Sequence, residues 1–226
     1  NRTCADCHMH ATVADIGKPV PGRATDGGPM QPNVVTHQFV GAQYHLVGLR
    51  DPKLREQSIA LLRSAATLGA RLDGEGRLVV RVTNVGAGHN LPGGVSNFRQ
   101  MWLEVEVTDA HGKPVLTSGK LAADGTLDPD AHTFHKKLGD KDGHDVGLAV
   151  WNFGRMLNDT RIPANGHRDE TYVLPPGTAF PVKARVRLMF RTFPQWFTDL
   201  VRKSYPDLPP PEPVDMASLT KTLEPR

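Results

Sequence analysis

Met101-Trp102-Leu103-Glu104-Val105-Glu106-Val107-Thr108 alternates apolar and polar residues with period two. Successive side chains of a strand point to opposite faces. Met101, Leu103, Val105 and Val107 therefore share one face, and Glu104, Glu106 and Thr108 the other. This pattern predicts a strand with one buried face in an antiparallel sheet. Asp109-Ala110-His111-Gly112 reads as a turn, and residues 113–117 as the returning strand. Residues 77–85 are rich in β-branched side chains. Residues 168–174 form a further candidate. Over residues 182–190 the alternation returns, with Val182, Ala184, Val186, Leu188 and Phe190 inward. Strands at this spacing predict a mainly β fold, an antiparallel β-sandwich of about six to eight strands.

Outward from this region the period changes. Asp51 suits an N-cap and Pro52 the first helical position. Leu54, Leu61, Leu62, Ala65 and Leu68 make a stripe of helical period that Gly69 can end. Residues 119–167 read as loops, with a short helix near residues 148–156. A terminal helix is expected over residues 194–205, burying Trp196, Phe197, Leu200 and Val201. Residues 206–213 are Pro-rich and read as extended. There is no internal repeat.

The chain has 226 residues, 38% of them hydrophobic and 23% charged, enough for one ample domain or a small domain beside a medium one. No apolar run approaches the length of a membrane span. A net charge of +3, spread along the chain, argues against a nucleic-acid partner. With 19 prolines and 22 glycines, turns are expected in place of a helical bundle.

The two cysteines of the chain both lie in Cys4-Ala5-Asp6-Cys7-His8. C-x-x-C-H is the attachment signal of a c-type haem. Two thiols at this spacing can each add across a vinyl group of one porphyrin, and His8 is then offered to the iron. The alternatives are a thioredoxin-like redox pair, half a zinc site or a plain disulfide. Only three residues precede Cys4, which disfavours the first. Zinc needs further close ligands, some of which His8 and His10 can supply. Covalent attachment is normally made outside the cytoplasm, so an exported, periplasmic or extracellular protein is expected. The start at Asn1 suggests removal of an upstream segment.

Four of the 10 histidines, His8, His10, His37 and His45, fall in the first fifty residues. Residues 17–33 are rich in Gly and Pro and read as loop. The expected organisation is a haem-binding segment over 1–50 without regular structure, a connecting helix over 51–70, a β-sandwich over 71–205 and an extended tail over 206–226. The iron's second axial ligand has to swing around the ring edge. The 28 residues from Met9 to Thr36 supply that reach, which points to His37, with His45 as the alternative and Met9 or Met30 as further donors. His37 can instead hydrogen-bond a propionate or a loop carbonyl. His10, two residues from His8, is poorly placed for the opposite face of the same ring. It is expected to face solvent or make a hydrogen bond, with coordination of a neighbouring haem as the other reading.

His89, in Gly88-His89-Asn90-Leu91-Pro92, is read as ordering its loop, with haem ligation as the alternative. On a helix His132 and His135 would share one side, as metal ligands require, but no nearby Cys completes a zinc set. Asp140-Lys141-Asp142-Gly143-His144-Asp145 lacks the repeated ligands of a calcium loop and reads as a solvated turn.

Taken together, Cys4 to Met9, Thr36-His37-Gln38-Phe39-Val40-Gly41-Ala42, Gly88 to Pro92, Arg99 to Val105, Asp159 to Pro163 and Asp169 to Tyr172 resemble the C-terminal part of exported bacterial multihaem c-type cytochromes. The resemblance covers most of the chain. It implies a last C-x-x-C-H followed by a β-domain, covalent haem c, electron transfer, and other haem proteins or haem subunits as partners. This chain departs from it in holding one C-x-x-C-H where relatives carry several. It is therefore expected to be the tail of a longer cytochrome or a one-haem subunit. No catalytic residue is assigned. An enzyme with an open iron site, reducing peroxide or a small oxyanion, is the alternative. Another is a docking or adhesion β-domain with the haem as terminal relay.

Overall fold

The computed structural model describes residues 3–10, 15, 16 and 18–225; Gly17, the first residue of the predicted loop, lies outside them. The chain divides into two compact units, residues 1–64 and 65–226.

In the first unit, α1 spans Cys4–His8. Thr3 caps it: Thr3 Oγ1 accepts from the Asp6 backbone N–H, and the Asp6 carboxylate accepts from that of Thr3. This reciprocal pair satisfies two amides that a helix start leaves open. The expectation that residues 1–50 lack regular structure is thus corrected at the motif itself. It is corrected again by the short hairpin of β1 (Gly22–Arg23) and β2 (Met30–Gln31) and by α2 (Tyr44–Gly48). The predicted helix forms as α3, Pro52–Arg63, with Asp51 Oδ1 accepting from Leu54 N–H at 3.1 Å. It stops six residues before Gly69. Ser64 closes it, its Oγ donating to Leu61 O at 2.8 Å.

The second unit explains that early stop. Its first strand, β3 (Ala66–Leu72), pairs antiparallel with β4 (Leu78–Asn84), so Leu68 lies opposite Val82. The turn between them is built by Asp73, whose Oδ1 accepts from the Glu75 and Arg77 amides. A β-branched partner strand outweighs helical periodicity that was only local.

The remaining strands are β5 (Gln100–Thr108), β6 (Pro114–Ser118), β7 (Thr133–Phe134), β8 (Lys136–Gly139), β9 (Arg155–Asp159), β10 (His167–Tyr172), β11 (Val182–Arg191) and β12 (Val214–Leu223). One sheet has the order β10-β4-β3, a second β12-β11-β5-β6 with β7 also on β5, and β8 pairs with β9. Every pairing is antiparallel. The protein is therefore mainly β, as its periodicity predicts. The two larger sheets meet through β3 and β12, where Lys221 Nζ donates to Ala70 O at 2.9 Å.

The core follows the alternation. Leu103 faces Leu188 across the ladder, Val105 faces Val186 and Val107 faces Ala184, and all six are buried. Fully burying a Val or Leu side chain stabilises by about 1.5–3 kcal/mol. Between these rungs Glu104 meets Arg187, and Glu106 meets Arg185 at 3.7 Å and Lys120 at 2.8 Å. Trp102 is buried although it lies on the opposite face from Leu103; its Nε1–H donates to Gly119 O at 2.9 Å. Gly119 has φ of +78°, and a Cβ there would lie 2.1 Å from Leu103 O, so no other residue fits.

Two other expectations are corrected. The region near residues 148–156 is a 3-10 turn, Val150–Asn152, followed by β9, because pairing with β8 draws Met156 into a ladder. The terminal helix forms as α4, Gln195–Arg202, but Trp196 and Leu200 are exposed and Thr198 is buried. Phe197 packs on Phe193 and Phe98 at 4.9 and 5.8 Å, and Trp196, although exposed, joins the same cluster through Phe98 and Phe197 at 6.5 and 5.7 Å. The extended tail, past Pro213 where amide hydrogens resume, pairs as β12 along β11.

Candidate haem-attachment site

The three motif side chains come from one helix. Cys7 lies three residues and His8 four residues beyond Cys4, so all three share a face of α1. Both thiols are free, Cys4 exposed and Cys7 half-buried.

Residues 36–40 run beside the motif. Met9 O accepts from the Thr36 amide at 2.7 Å and from Thr36 Oγ1 at 3.0 Å, and Val40 N–H donates to His8 O at 2.8 Å. This pairing brings Val40 O to 2.5 Å from His8 Nδ1. A carbonyl only accepts, so Nδ1 carries the proton of this bond and Nε2 is the ring nitrogen turned away from it. Phe39 stacks on the His8 ring, with centroids 4.8 Å apart and planes 10° from parallel. A metal-binding histidine is commonly oriented by a backbone carbonyl in this way. The donor set fits a covalently bound haem: two accessible thiols and an imidazole of fixed tautomer on one helical face.

The other predicted ligands are distributed unevenly. His37 is exposed, one residue past the Thr36 anchor. His45 sits on α2 and is buried, beside fully buried Tyr44. His10 is also buried, against the expectation of a solvent-facing side chain. It is 5% exposed, and its Nε2 has no hydrogen-bond partner among the described residues. Its place just past the end of α1 is what sequence reading missed. The available signal was Thr3-x-x-Asp6, a capping pattern that fixes where the helix begins.

The second unit holds the other histidines considered from the sequence, each with contacts of its own. His89 is exposed; its ring Nδ1–H donates to Asn90 O at 2.9 Å, and its own carbonyl accepts from Asn84 Nδ2 at 2.9 Å. That loop is held by a two-bond bridge between Leu91 and Ile162, each 2.8 Å. His132 and His135 flank strand β7, not a helix, so odd spacing turns them to opposite faces and no metal pair forms. His132 Nδ1 lies 2.7 Å from Glu170 Oε2. Burial and the nearby Lys137 hold the His135 ring below the usual histidine pKa. Asp140, Asp142 and His144 cluster, but Asp140 Oδ1 already accepts the Asp142 and His144 amides, as in an ordinary turn. A cleft of about 280 Å³ near Phe134 and Trp196 contains none of the candidate haem residues.

Fold and site together define a class: a mainly antiparallel β unit in one chain with a helix that carries C-x-x-C-H. The sequence matches no protein-family model and no curated protein. Among solved structures it is similar to a penta-heme cytochrome c552 from Thermochromatium tepidum, with a TM-score of 0.57 and 22% sequence identity. The likeness covers 85% of this chain and 44% of that one, and at this identity it is a likeness of fold. Among the described residues no helix is long and apolar enough to cross a membrane.

Proposed function

We propose that this chain is an electron-transfer module of the c-type cytochromes. One haem is attached through Cys4 and Cys7, and His8 holds its iron. The single observation that carries the reading is the bond from His8 Nδ1 to Val40 O, which presents Nε2 as a ligand on the same helical face as two free thiols. The solved structure of similar fold is itself a multihaem cytochrome. When bound, the haem supplies a one-electron couple at iron. Cys4 and Cys7 would attach it, and the Val40 carbonyl would orient His8 toward it.

The second axial ligand is assigned to His37, with His45 as the alternative. With His8 and this second residue both holding the iron, the haem would supply electron transfer with little rearrangement and would leave no place for substrate. We read the two contacting sheets as a β-sandwich that follows the haem segment. The partners are other haem proteins or other haem segments, met in a periplasmic or extracellular compartment where covalent attachment takes place.

Acid–acetone treatment of the native protein tests the attachment. The colour is expected to stay with the polypeptide, and a Cys4→Ser/Cys7→Ser variant to lose the mass of one haem. Free haem in the solvent from the unaltered protein would refute the proposal. A spectrum unchanged by carbon monoxide favours electron transfer; a large change would point to an open iron site.

A further inference from the structure

The buried Nε2 of His10 has no hydrogen-bond partner among the described residues. A buried polar atom left unpaired is costly, and each one in a native protein calls for a specific explanation, among them a redox role or a bound ion or water. We infer that His10 is an axial ligand to the iron of a second haem, distinct from the one on Cys4 and Cys7. The inference rests on the haem reading above for the kind of centre involved.

Two geometric points lead there. First, His10 does not share an iron with His8. The porphyrin occupies the four equatorial positions, so two histidines on one iron must be trans. Two imidazole side chains and the iron would then lie between their Cα atoms. Residues two apart span at most about 7 Å, which is too short. Second, a lone imidazole is enough for a haem but not for a free metal ion. The one group of His, Cys, Asp and Glu side chains among the described residues that could hold a metal is Asp140, Asp142 and His144, which excludes His10. A porphyrin brings four nitrogens of its own and needs only axial donors from protein. The second haem can belong to another segment of a longer polypeptide or to a separate subunit. The chemistry presented to His10 is the same in both cases.

The test uses the cytochrome as isolated from its source. Intact mass with haem content per chain separates the two sources: several haems on one mass, or single-haem chains that copurify. In His10→Ala, low-temperature EPR should show one haem equivalent changing from low to high spin and binding carbon monoxide. In His8→Ala/His10→Ala, two equivalents should change, because the two substitutions act on different irons. If His10→Ala does not fold, His10→Met replaces it; it should raise the reduction potential of one centre while leaving its spin state low. Unchanged spin states in His10→Ala, no potential shift in His10→Met, or a single equivalent in the double variant would overturn the inference. So would a native preparation with one haem in all, which leaves the proposed function intact. Loss of that proposal would show separately, as a Cys4–Cys7 peptide without the mass of haem.

Discussion

His8 Nδ1 and the carbonyl oxygen of Val40 lie 2.5 Å apart across 32 residues of sequence. The bond closes a loop whose far end, Thr36 to Val40, is anchored by three more hydrogen bonds to Met9 O and His8 O. Ring orientation and tautomer at His8 are therefore set by backbone, and no side-chain substitution at residue 40 removes that acceptor. Exposed His37 lies between the anchor points, so the same loop that orients His8, the proposed first ligand, carries the proposed second one.

His37→Ala should turn the haem on Cys4 and Cys7 from low to high spin and open it to carbon monoxide, while His45→Ala leaves it low-spin. The opposite pattern moves the assignment to His45. If both variants stay low-spin, the ligand lies elsewhere, with Met9, Met30 and His89 the donors to test next.

Leu188→Ala should lower stability by about 2–5 kcal/mol, since it empties a buried rung opposite Leu103. Exposed Lys183, on the same strand, should change stability by less than about 0.5 kcal/mol when replaced by Ala. Denaturant midpoints of the two variants that coincide would show the strand's faces to be inverted.

Asp159 predicts part of the acid response. Two hydrogen bonds from Arg161, 2.8 and 2.6 Å long, hold its carboxyl below the usual aspartate pKa. The folded state therefore binds this proton less readily than the unfolded chain. The stabilisation is complete above the unfolded value of about 4 and is lost as pH falls through the folded one. Asp159→Asn should flatten the stability profile in that acid range. A profile parallel to that of the unaltered protein would count against the pair.

Truncation after Pro213 should remove β12 and leave the whole length of β11 as an open edge. The shortened chain is expected to melt at lower temperature and to associate through that edge, visible by size-exclusion chromatography. An unchanged melting temperature in a monomer would show the tail strand to be dispensable.

The sequence by itself determined what is local. Period-two alternation at residues 101–108 and 182–190 set strand type and the inward face, because a strand's side chains alternate whatever its partner. C-x-x-C-H set the candidate site, because two thiols and an imidazole at that spacing have few other uses. The tertiary structure decided what depends on partners far along the chain. Leu68 left its helical stripe because Val82 was available across a ladder, and residues 214–223 became a strand because β11 offered an unpaired edge. The acceptor for His8 is a backbone carbonyl, a group every residue carries, so no composition or spacing distinguishes Val40. His10 reads as a polar residue suited to solvent; only packing shows it buried, with a nitrogen left to be paired.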